Sequence, residues 1–140
     1  MFIDMPIEPR GIAQQKGECI MKSKFGKPWI MHYEKKAIKD ARLVYEIELS
    51  KHISEIDYHL CDEKGAKKPL RVSIQFFYTG RSRVWDEYKT TRPDVDNVAK
   101  LFLDCLTSAH MIEDDSQIAS LTLEKRFDFK AHIKLSITEL

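Results

Sequence analysis

Two clusters of aspartates carry the chemistry legible in this chain. One lies in Arg92-Pro93-Asp94-Val95-Asp96-Asn97-Val98-Ala99-Lys100, the other in Asp114-Asp115-Ser116-Gln117. Three or four carboxylates meeting at one place repel each other unless a divalent cation neutralises them. Their hard oxygen donors select Mg2+ or Mn2+. The usual zinc ligands are missing: the 3 cysteines, Cys19, Cys61 and Cys105, are far apart and never form a C-x-x-C pair, and no histidines are closely set. Carboxylate-held dications activate water and stabilise charge on a phosphate oxygen during in-line displacement. Lys100 falls one helical turn beyond Asp96, on the same face, and adds a cation beside the acids. Phosphodiester hydrolysis is the reaction these parts fit.

The elements that must position them follow from local rules. Proline disfavours helical geometry in the residue before it and fixes its own φ near a helical value, so Pro93 starts a helix at about Asp94. Residues two apart on a regular helix diverge, so Asp94 and Asp96 converge only if Asp94 stands outside it, as an N-cap. That helix runs over residues 94–109 and buries Val95, Val98, Phe102, Cys105, Leu106 and Ala109. Asp114 and Asp115 lie between its end and the next strand, where compact packing returns them beside Asp94 and Asp96.

Elsewhere, Ile3, Met5 and Ile7 alternate with polar or proline positions and predict a short edge strand. Residues 14–29 suggest a hairpin around 24–27. A long amphipathic helix is expected over 33–53, where Ala37, Ile38, Ala41, Val44, Tyr45, Leu49 and Ile53 recur at three- and four-residue spacing. Leu70, Val72, Ile74 and Phe76 mark a central strand with one buried face. Strands over 118–123 and 133–137 close the chain. The order strand, helix, strand, helix, strand, strand predicts one α/β (α+β) domain over 1–140, a mixed sheet with two main helices packed on it.

A content of 43% hydrophobic and 32% charged residues describes a chain able to bury a core and excludes disorder. The net charge of +1 lends no support to a nucleic-acid partner, so any basic footprint must be local. The polar stretch 80–92 supplies one candidate, with Arg81, Arg83, Lys89 and Arg92 around Trp85; loop charges are most often simply solvated. No apolar run is long enough for a membrane helix and the N-terminus lacks the pattern of a signal peptide, so the expectation is a cytoplasmic protein with its cysteines as free thiols and Cys105 in the core.

The run from Arg92 to Asn97, with Lys100 and Asp104, followed by Asp114-Asp115-Ser116-Gln117, resembles the RusA family of Holliday junction resolvases of bacteria and their phages. The family pattern is D-x-D-N, a lysine four residues past the second acid, an aspartate four further on, and a downstream D-D-x-Q. Every part of it is matched here. The resemblance implies that Asp94, Asp96 and Asp115 are the essential acids, Asp114 a neighbouring contributor to metal binding and Lys100 the functional lysine. It also implies a homodimer that makes paired symmetric nicks in four-way DNA with Mg2+ or Mn2+ and takes no small-molecule cofactor. The stretch 80–92 is longer than the family's, and Asp86 and Glu87 interrupt its basic residues, which bears on junction selectivity.

Each residue also has an ordinary role. A lone D-x-D at a helix start is usually a cap and a first-turn acid favoured by the helix dipole. A lysine at helical spacing from Asp96 and Asp104 is usually a surface ion pair. Glu113 reads as a solvated turn residue, His110 as a surface histidine, and Asp104 as at most a residue orienting Lys100. Rival functions are the same chemistry on flaps, forks or RNA, and a junction-binding protein without catalysis.

Overall fold

The computed structural model describes residues 1–10, 17–22, 24–80 and 87–140. Arg81, Arg83, Trp85 and Asp86 lie outside the described residues. The expected period-two segment becomes β4 (Leu70–Thr79), whose residues Leu70, Val72, Ile74, Phe76 and Tyr78 are buried on one face. In the four-stranded sheet it lies between β6 (His132–Glu139) and β5 (Ile118–Asp128), with β1 (Phe2–Met5) at the outer edge beside β6. β4 runs parallel to β5 and antiparallel to β6, while β1 is antiparallel to β6, so the sheet is mixed. α2 (Val95–Ser108) forms the crossover that a parallel β4–β5 neighbour pair requires.

α1 (Lys36–Ser50) and α2 share one core with the sheet. Tyr45 of α1 meets Phe102 of α2 edge-on at 5.2 Å, and Phe102 meets Phe76 of β4 at 6.0 Å. Edge-to-face contacts of this kind match the ring quadrupoles. The opposite sheet face is lined by Arg71, Ser73, Gln75 and Phe77, with His132 stacked on Phe77 at 4.2 Å.

Three boundaries differ from the sequence expectation. Tyr33 ends β3 (Trp29–Tyr33) instead of starting α1, because β3 pairs in register with β2 (Gly17–Met21) and Tyr33 lies opposite Gly17. The first helix stops at Ser50, and Ile53, expected in that helix, sits in a separate 3-10 turn and is exposed. β5 continues five residues past Leu123, since its helix-facing positions include Lys125, which interrupts the apolar alternation.

Candidate active site

Asp94 occupies the N-cap of α2 in extended geometry (φ −69°, ψ 144°), and its carbonyl accepts the first intrahelical bond from Val98 N. Its side chain makes no capping hydrogen bond, however, and the residue is exposed. The ordinary role of an acid at this position is therefore not filled: the carboxylate is left for something else. Asp96 in the first turn and Lys100 one turn later are likewise exposed. Among the described residues, neither they nor Asp115 enter any ion pair or side-chain hydrogen bond. Asp104 pairs instead with Arg42 of α1 at 3.7 Å and so joins the two helices.

The chain leading to Asp94 is stitched to β5. Phe127 N donates to Glu87 O at 2.9 Å and Lys89 N to Lys125 O at 2.8 Å, so residues 87–89 lie along the edge of β5. The Lys125 ammonium then donates to Thr91 O at 2.9 Å and to Pro93 O at 2.5 Å. The Arg92–Pro93 bond is cis. Arg92 is exposed, whereas the Lys89 ammonium sits 5.3 Å from the ring centroids of both Tyr78 and Phe127 and donates to Thr91 Oγ1. Desolvation first, and the neighbouring Lys125 second, hold the Lys89 pKa below the usual lysine range.

Asp115 opens a 3-10 turn (Asp115–Gln117) just before β5. Asp114 caps that turn, its Oδ1 accepting from Ser116 N at 2.9 Å and facing Lys67 Nζ at 3.5 Å. The Ser116 hydrogen bonds, assisted by Lys67, hold the Asp114 carboxyl below the ordinary aspartate range. Gln117 was quoted in the motif without a role, and the structure supplies one. It is buried; its Nε2 donates to Leu60 O at 2.7 Å and Lys68 O at 3.2 Å, and its Oε1 accepts from Glu113 N at 2.7 Å. The side chain pins the acidic turn from three directions.

One expectation fails within a single chain. Among the described residues no group of three or more His, Cys, Asp or Glu side chains is placed to hold a metal ion. The reason is geometric. Asp94 caps α2, Asp96 lies in its first turn and Asp115 follows its end, and the 14 residues of the helix span about 20 Å at helical rise. β5 then runs from Ile118 back to Lys125, the residue that touches Pro93, so Asp115 and Asp94 stand at opposite ends of antiparallel elements. In its chemistry the donor set still suits a hard dication: three carboxylates, uncommitted and exposed. What one chain lacks is their convergence.

Comparison with known proteins agrees with the motif. Residues 21–138 match the family model described as Endodeoxyribonuclease RusA. A crossover junction endodeoxyribonuclease from Lactococcus phage r1t is 41% identical over 81 residues, covering 57% of this chain and 60% of that relative's length. With two uncommitted aspartates at the start of α2, a third in the pinned turn before β5, and a family match across most of its length, the chain belongs to the RusA family of endodeoxyribonucleases.

Proposed function

We propose that the protein is a Mg2+-dependent endodeoxyribonuclease that resolves four-way DNA junctions by paired nicks, as a homodimer in the cytoplasm. The observation that carries this reading is the Asp94 carboxylate, which occupies a cap position and yet makes no capping bond. In this reading Asp94, Asp96 and Asp115 hold the ion, with Asp114 beside them, and Mn2+ substitutes. A Mg2+ held there would acidify and orient the attacking water and offset charge on the scissile phosphate. The chain's own residues do the rest: the carboxylates orient the reacting groups, and Lys100 provides a cation for the charge that develops on the phosphate oxygen. Arg92 and the basic residues of the 81–92 stretch contact the DNA backbone outside the cutting centre. The near-neutral net charge makes such contacts local.

Dimerisation does more here than supply two sites for two strands. The separation of Asp94 and Asp96 from Asp115 by the length of α2 supports a second chain as the source of the missing ligand, with Asp94 and Asp96 of one protomer combining with Asp115 of the other. Complementation tests this directly. Asp94→Asn and Asp115→Asn homodimers each lose junction cleavage by at least about a thousandfold, the order of effect expected for loss of a metal-held nucleophile. In a mixed dimer of the two variants, shared sites leave one of the two intact, so single-strand nicking returns without paired resolution. Sites confined to one chain are both broken in that mixture and stay silent. Cleavage of flaps, forks or RNA at rates above the junction would reassign the substrate, and salt-sensitive junction binding without nicks at any Mg2+ or Mn2+ concentration would leave a binding protein.

A further inference from the structure

Lys125 occupies an unusual position. On β5 it lies opposite Phe76, in register with Leu121, Leu123 and Phe127 on the helix-facing side of the sheet, where an apolar residue would be expected. It is half-buried, and among the described residues its ammonium has no carboxylate partner. Two of its three protons instead go to main-chain carbonyls, those of Thr91 and Pro93. A partly desolvated ammonium without a counter-ion is costly unless it is hydrogen-bonded, so this pairing is a strong local constraint.

The constraint falls on the peptide that leads into the site. Pro93 O belongs to the peptide unit that carries Asp94 N, so fixing that carbonyl fixes the plane from which the Asp94 Cα and its side chain depart. Lys125 also accepts from Lys89 N through its own carbonyl. One residue of β5 thereby holds the strand-edge segment by its main chain and the entry to α2 by its side chain. Asp94 itself has no capping bond to hold its orientation from within.

We propose that Lys125 is a positioning residue for Asp94. It touches neither substrate nor metal; it sets the direction of the first carboxylate by clamping Thr91 O and Pro93 O. The proposal rests on Asp94 being an essential acid, and its test separates the two claims. Lys125→Met keeps the length of the stem and removes the donors, while Lys125→Arg restores donors. Two measurements apply to the intact chain: amide hydrogen exchange over residues 98–101, whose N–H groups donate into the first turn of α2, and junction nicking as a function of Mg2+.

In Lys125→Met the exchange at 98–101 rises at least about tenfold while β4 and β6 amides are unchanged, kcat falls at least about tenfold with KM for the junction nearly constant, and half-saturation by Mg2+ moves to higher concentration. Lys125→Arg recovers most of each. Wild-type exchange at 98–101 in Lys125→Met overturns the clamp whether or not the protein cuts DNA. Unchanged kcat and Mg2+ dependence, in an assay where Asp94→Asn abolishes cutting, overturns the positioning role while leaving the nuclease assignment standing. A fall in protection across the whole sheet, unrescued by Lys125→Arg, shows a fold-wide role and likewise overturns it.

Discussion

At the residue scale, the two acidic clusters are presented in different ways. Asp94 and Asp96 are presented by a helix start; Asp115 depends on a turn that has few hydrogen bonds of its own. Gln117 compensates, linking Glu113, Leu60 and Lys68 from a fully enclosed position. Replacing it with alanine leaves one N–H and two carbonyls without that partner, and each buried polar group left unsatisfied costs about 1–3 kcal/mol. Gln117→Ala should lower stability by about 2–4 kcal/mol, read as a fall in the urea midpoint with unchanged slope. Gln117→Glu should be nearly as damaging at neutral pH, because a carboxylate accepts but cannot donate to Leu60 O and Lys68 O. A midpoint within error of wild type for both variants would remove Gln117 from this role.

Among the elements, β5 organises the site. Its helix-facing side carries Lys125, and its other side carries Glu124 and Arg126, which tie β4 to the 87–89 segment. Glu124 accepts from Gln75 Nε2 at 2.7 Å and Arg126 Nε at 2.9 Å, and Arg126 donates on to Tyr88 Oη at 2.7 Å. The Arg126 bond first, and that from Gln75 second, hold the Glu124 carboxyl below the ordinary glutamate range. A pKa lower in the folded than in the unfolded state means stability fully present above the unfolded value, about 4.3, and lost as pH falls through the folded one. Thermal unfolding followed downward from pH 6 should therefore show a steeper acid limb in wild type than in Glu124→Gln, whose amide cannot titrate. Parallel acid limbs would show that Glu124 does not carry the effect. The element boundaries were partly legible: β4 and α2 have clean periods of two and 3.6, whereas the second half of β5 was hidden because Lys125 falls where the alternation calls for an apolar residue.

For the whole molecule, the outlying feature is the β2–β3 ribbon. Among the described residues it pairs only with itself, every residue of β3 is exposed, and Ile20, Met21, Trp29, Ile30, Met31 and Tyr33 all present apolar surface. Two-stranded ribbons are marginal in water by themselves, and clustered apolar exposure of this kind marks a contact surface. It is the part of the fold best suited to meeting a second copy, as the proposed shared site requires. Trp29→Glu with Ile30→Glu should convert the proposed dimer to a monomer in sedimentation equilibrium, with the helices and four-stranded sheet retained by circular dichroism, and should abolish the proposed cleavage. An unaltered mass would move the interface elsewhere. Among the described residues no helix is long and apolar enough to cross a membrane.

The amino-acid order by itself carries the proposed reaction chemistry, since carboxylates, an adjacent lysine and the absence of paired thiols are properties of residue type and spacing. It determined the two main helices, the central strand and the capping position of Asp94 as well, because those follow from periodicity and from the backbone restriction imposed by Pro93. Only the tertiary structure decided that Asp115 lies a helix length from Asp94, and that Lys125 and Gln117 hold the two acidic segments. Those facts depend on partners tens of residues away, Pro93 for Lys125 and Leu60 for Gln117, which no local spacing rule encodes.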